Sequence, residues 1–147
     1  MSRPLVTLPI VERWDCHNCG ICCRGSIVPL SGDDLRKLRA QHWEKHPEYG
    51  SSPIVVTHGL FRKTHELAKH RDGSCVFLTA DGLCRIHAEH GPTAKPLVCQ
   101  MFPLQLVPLE KSAVLTVRRA CPSAAAEQGR TIPHEEAVRR MSRWLEK

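Results

Sequence analysis

Aromatic residues are scarce in this chain: one tyrosine, three phenylalanines and three tryptophans, 5% of 147 residues. With so few rings, and eleven prolines interrupting regular elements, a thick ring-filled core is excluded. Long apolar runs are also missing, so no segment reads as bilayer-spanning and no membrane partner is expected. The stretch Met1 to Trp14 has neither a long apolar centre nor a small-residue cleavage pattern. It does not read as a secretory signal, and a reducing, cytoplasmic location is the expectation. Basic runs interleaved with aromatics are absent too, which argues against nucleic acid as a partner despite a formal charge of +6.

Cysteine is what the chain has. Eight are present, four of them within Cys16-His17-Asn18-Cys19-Gly20-Ile21-Cys22-Cys23. In a reducing compartment an even set at such density reads as metal ligand rather than disulfide, since pairing neighbours such as Cys22 and Cys23 would strain the bond. Two Cys-x-x-Cys steps (Cys16 to Cys19, Cys19 to Cys22) let successive sulfurs converge, with Gly20 where a tight turn needs positive φ. A structural zinc contributes an apparent ~10 to 16 kcal/mol to folding in small domains, enough to replace missing core. Eight thiolates on two divalent ions would also bring the net charge to about +2.

The remaining cysteines arrive one at a time. Gly73-Ser74-Cys75-Val76-Phe77-Leu78 and Asp81-Gly82-Leu83-Cys84 flank a turn signal and predict a β-hairpin bearing Cys75 and Cys84. Cys99 lies in a proline-framed turn or one-turn helix, Pro92 to Pro103. A second hairpin, Leu104 to Leu109 with Ala113 to Val117, leads to Cys121-Pro122. Vicinal side chains are expected to point apart, so Cys23 is expected to belong to a different centre from Cys22, or to bridge to one. The grouping that follows is Cys16, Cys19, Cys22, Cys121 against Cys23, Cys75, Cys84, Cys99.

Elsewhere the sequence is plainer. Ser31 and Asp34 form a capping box opening a helix whose Leu35, Leu38 and Trp43 face the core, ending by Pro47. His42 and His46 stand four apart without a further ligand and read as surface. Ile54 to Thr57 predicts a short strand, and the basic stretch from Leu60 to Asp72 a solvated loop or irregular helix. Trp14 is a candidate shield for the metal site or an ordinary core ring. His87 is a candidate hydrogen-bond donor to a ligand sulfur, and Arg24 and Arg85 are candidates to offset thiolate charge. No cysteine stands apart from the cluster as a nucleophile.

Together the elements predict an α+β fold, a small, irregular, metal-stapled single domain over residues 1–147. Within it are an N-terminal arm (1–14), a cysteine-cluster core (15–122) and a C-terminal amphipathic helix (131–146). That last helix, with Ala137, Val138, Met141, Trp144 and Leu145 on one face, is expected to dock on the domain, or else to meet an unidentified protein partner.

Four segments carry a family resemblance: Cys-x-x-Cys-Gly-x-Cys-Cys-Arg, Gly-x-Cys-x-Phe-Leu, Cys-Arg-Ile-His and Lys-Pro-Leu-Val-Cys-Gln-Met-Phe-Pro. From about Trp14 to Cys121 the chain resembles the CxxCxxCC family, the YkgJ-like cysteine-cluster proteins described as zinc- or iron-chelating, which include flagellin lysine N-methylases. The resemblance implies that Cys16, Cys19, Cys22, Cys23, Cys75, Cys84, Cys99 and Cys121 hold the metal, as zinc or as an iron-sulfur cluster. Lys95 and Gln100 stand where many relatives are expected to carry arginine, which puts any anion contact there in question. Methyl transfer is implied by resemblance only, because the chain has no glycine-rich strand-to-helix turn to receive S-adenosylmethionine.

Overall fold

The computed structural model of the protein describes residues 5–6 and 12–131. The predicted C-terminal helix and most of the N-terminal arm lie outside the described residues. In chain order the elements are β1 (Leu5–Val6), β2 (Pro29–Leu30), α1 (Gly32–Ala40), β3 (Val55–His58), β4 (Thr64–Leu67), α2 (Arg85–His90), α3 (Leu97–Met101), β5 (Leu104–Pro108), β6 (Ala113–Val117) and α4 (Pro122–Ala125). Short helices beside two three-stranded sheets make the fold α+β. The chain divides into two compact units, residues 18–100 and residues 1–17 with 101–147.

The 18–100 unit is built around α1. Ser31 caps it as expected: its hydroxyl accepts from the Asp34 amide at 3.2 Å, while Asp34 Oδ2 accepts from the Ser31 amide at 3.0 Å. Leu38 and Trp43 face inward, 3% and 2% exposed, though the helix stops at Ala40 and Trp43 belongs to a separate 3-10 turn. Trp43, Tyr49 and Phe77 stack mutually, with ring centroids 4.8 to 5.2 Å apart. One aromatic knot thus holds three of the chain's seven Phe, Tyr and Trp rings.

Beside it runs the sheet β2-β4-β3, antiparallel throughout. Strand β4 corrects the expectation of a loop across Leu60 to Asp72. Its Thr-His-Glu-Leu sequence is mostly polar, and pairing with β2 and β3 on both sides makes it a strand where propensity does not. The hairpin predicted at Cys75 to Cys84 is reduced to one bridge, Leu78 with Cys84, because α2 begins at once after Cys84.

In the other unit β5 and β6 form the predicted hairpin in register Leu104↔Val117 through Pro108↔Ala113, and β1 adds to β6 in parallel. Ala113, Val114 and Val117 are its buried residues on β6. Trp14 is tied into this unit by its backbone, the amide donating to the Arg130 carbonyl at 3.0 Å.

Candidate metal centre

Gly20, at φ 68°, turns the chain into a 3-10 turn over Ile21–Cys23, closed by the Cys23 amide donating to the Gly20 carbonyl at 3.1 Å. A side chain at Gly20 would meet Leu78 at 3.2 Å, so the turn lies on the segment that carries Cys75. That segment is joined to it by backbone. The Cys75 amide donates to the Cys23 carbonyl at 2.7 Å, and the Gly25 amide to the Gly73 carbonyl at 3.1 Å. One residue group further, the Leu78 amide returns to the Cys75 carbonyl at 2.9 Å and Leu78 bridges Cys84, the last extended residue before α2.

Cys99 reaches the same neighbourhood on α3. Its amide donates to the Pro96 carbonyl at 3.0 Å, and the preceding Leu97 amide donates to Asp34 Oδ1, also at 3.0 Å. Asp34 therefore caps α1 with one oxygen and fixes the start of α3 with the other, which is why a charged residue is only 3% exposed.

Five thiols, Cys22, Cys23, Cys75, Cys84 and Cys99, are close enough to act on one another's charge. The Cys22 and Cys23 sulfurs are 3.9 Å apart. Their hydrogen bond, helped by the positive charge of Lys95, draws the Cys22 thiol down to about 6, and the same bond with burial pushes Cys23 up. Burial pushes Cys99 up to about 12 against the pull of Lys95, and raises Cys75 as well. The vicinal side chains do not point fully apart as expected: their sulfurs are 3.9 Å apart, a 3-10 turn setting neighbours about 120° apart rather than on opposite faces, and Cys22 acts on Cys75 and Cys99 as well. Among the described residues no three or more Cys, His, Asp or Glu side chains are closed to ligand spacing. The sulfurs are gathered within reach of one another's field without forming a finished coordination shell.

Cys19 is exposed in the same unit. Cys16 and Cys121 belong to the other, where Cys121 is buried immediately before α4 and Cys16 is exposed. Ser123 Oγ donates to the Asp15 carbonyl at 2.6 Å and lies 3.5 Å from His17 Nε2, so the first turn of α4 is fastened to the residues on either side of Cys16.

The cations near sulfur differ from those the sequence suggests. Arg24 turns to Asp72 at 4.0 Å, and Arg85 to Glu48 at 2.8 Å and Glu89 at 3.7 Å. The positive charge of Lys95 favours ionisation of Cys22 and Cys99, and that of Lys69 favours ionisation of Cys75. Gln100 Nε2 holds the Lys95 carbonyl at 2.6 Å and the Thr93 carbonyl at 3.1 Å, stiffening the turn from which Lys95 projects. His87 is exposed on α2 and His42 pairs with Glu44 at the surface as expected, but His46 is half-buried, its ring packed against Trp43 and Tyr49 and its Nε2 3.4 Å from Glu89. Soft thiolates, half-buried or buried, with two lysines acting on them, are the donor set that suits zinc or iron rather than calcium or magnesium.

A sequence model described as "CxxCxxCC: putative zinc- or iron-chelating domain" matches residues 15–122. The chain belongs to the CxxCxxCC family. All eight cysteines fall within the matched span. Among similar proteins is an uncharacterised protein of Methanocaldococcus jannaschii, 32% identical over 111 residues, covering 74% of this chain and 36% of that one. The chain thus spans about a third of the length of this relative. No solved structure matches.

Proposed function

We propose that the protein is a thiolate metal-binding module in which Cys22, Cys23, Cys75, Cys84 and Cys99 form the principal ligand cluster, with Cys16, Cys19 and Cys121 completing the eight. The observation that carries this reading is geometric: four chain segments bring Cys23, Cys75, Cys84 and Cys99 into or against one core cluster, with the Cys75 backbone hydrogen-bonded to Cys23 and the Cys22 sulfur 3.9 Å from that of Cys23. As neutral thiols Cys23, Cys75, Cys84 and Cys99 pack as small apolar groups in and against the core, but ionising any of them raises the cost of ionising the next. A cation bound among them reverses that cost, because thiolates are then stabilised by the metal charge. Lys95 and Lys69 supply part of the same compensation. Zinc and an iron-sulfur centre both satisfy this donor set.

The deciding experiment is metal analysis with a visible absorption spectrum on protein purified without oxygen. A colourless protein retaining zinc assigns a structural or regulatory site, and a brown one with iron and acid-labile sulfide assigns a cluster. Protein that retains neither under reducing conditions, yet stays folded, sinks the proposal.

A further inference from the structure

The β3–β4 hairpin ends in a five-residue tip, Gly59-Leu60-Phe61-Arg62-Lys63, between the last paired residues His58 and Thr64. Leu60 is 82% and Phe61 96% exposed, the two most exposed large hydrophobics among the described residues. Nothing in the fold's own packing requires them there. The tip is nonetheless well held. Gly59 sits at φ 88°, where any side chain would run into the Arg62 carbonyl, so the turn has one tight geometry. Below it the strands are cross-tied by Thr57 Oγ1 with His65 Nδ1 at 2.9 Å and by His58 Nε2 with Glu66 at 3.1 Å.

Charge decides what such a tip fits. Arg62 and Lys63 adjoin the two apolar side chains, and no Asp or Glu occurs from Tyr49 through His65. Neither cation pairs with a carboxylate among the described residues, and the nearest acid in sequence, Glu66, is engaged by His58. Two adjoining apolar side chains at an apex are far short of the roughly 800 Å² per partner that a stable protein interface buries. They are enough to enter a lipid headgroup region while long cationic side chains stay level with the phosphates.

We propose that this hairpin tip is an interfacial insertion point that seats on an anionic lipid surface, with Leu60 and Phe61 below the headgroups and Arg62 and Lys63 among them. No spanning segment is needed, and none of the described helices is long and apolar enough to be one. The proposal replaces the sequence-level expectation of no membrane contact, which rested on the lack of such a segment. It is independent of the metal reading, because no cysteine lies in the hairpin.

The test is flotation of the full chain with phosphatidylglycerol/phosphatidylcholine vesicles and with phosphatidylcholine alone, at low and physiological salt. Binding to the anionic vesicles only, abolished by Leu60→Ser with Phe61→Ser and weakened about tenfold by Arg62→Glu with Lys63→Glu, is the expected result. Metal content and circular dichroism confirm that both variants are folded. A Phe61→Trp variant gives a second reading, with quenching by bromine-labelled acyl chains in excess of that seen for the natural tryptophans. Equal binding by the Leu60/Phe61 variant, no anionic binding at low salt, or absent quenching overturns the proposal. So does retention of an oligonucleotide or an acidic protein through the same four residues without vesicle binding.

Discussion

Asp34 Oδ1 accepts the Leu97 amide at 3.0 Å while its partner oxygen caps α1, so one carboxylate joins the start of the first helix to the segment that delivers Cys99. The two roles can be separated by mutation. Ser31→Ala removes the cap and the hydroxyl's bond to Asp34 Oδ2 at 2.7 Å but leaves the Leu97 bond in place, and is expected to cost about 1 kcal/mol. Asp34→Ala also leaves the part-buried Leu97 amide without its acceptor, and is expected to cost about 2 to 3 kcal/mol. Urea denaturation of metal-loaded protein measures both. Equal losses would show that the Leu97 bond contributes nothing.

Two glycines of almost equal φ make a cleaner comparison. Gly25 at φ 79° has no atom within 4 Å of where an added methyl would sit, whereas at Gly82, φ 78°, the methyl would lie 2.6 Å from the Asn18 carbonyl. Gly25→Ala is expected to cost about 1 kcal/mol from backbone strain alone. Gly82→Ala must also push the 18–25 stretch off its neighbour, with an expected cost of about 3 kcal/mol and weakened metal retention. Matching thermal shifts for the two variants would contradict this packing.

Lys95 is the cation that acts on both Cys22 and Cys99. Lys95→Glu is expected to lower metal affinity about tenfold in competition with a chromophoric chelator, and Lys95→Arg to leave it near the original value. Arg24→Gln and Arg85→Gln should change little, because both guanidiniums are committed to carboxylates. A larger effect from Arg24 than from Lys95 would reverse the assignment.

Single cysteine-to-serine variants should divide by unit. Loss of Cys75, Cys84 or Cys99 is expected to remove metal from the five-sulfur cluster and to lower stability, and loss of Cys16 to leave that cluster loaded. Metal-to-protein ratios measured on each purified variant check this. Uniform loss of all metal from every variant would point to a single centre using all eight.

Much of this was readable from local chemistry. The Ser31/Asp34 capping box and the β5–β6 hairpin are fixed by neighbours a few residues away, and the structure has both. Strand β4 was not readable, since its pairing partners are supplied by β2 and β3 rather than by its own residues. The relation of Cys22 to Cys23 failed for a similar reason. Alternation of side chains holds for a strand, and the pair sits on a 3-10 turn that the left-handed Gly20 begins. Nor could spacing reveal that the charge acting on Cys22 and Cys99 is that of Lys95 rather than of Arg24 or Arg85, because Asp72, Glu48 and Glu89 pair with the arginines.

The 2.7 Å bond from the Cys75 amide to the Cys23 carbonyl bears on kinetics as well as on position. Two sulfurs proposed to share an ion are carried by backbones that are themselves paired, so neither can swing clear while the other stays. Departure of a bound ion then waits on unzipping of the 23–25 and 73–75 stretches. Exchange with free metal should be slow, paced by that opening and hastened by denaturant below the unfolding midpoint, even where the equilibrium affinity is modest.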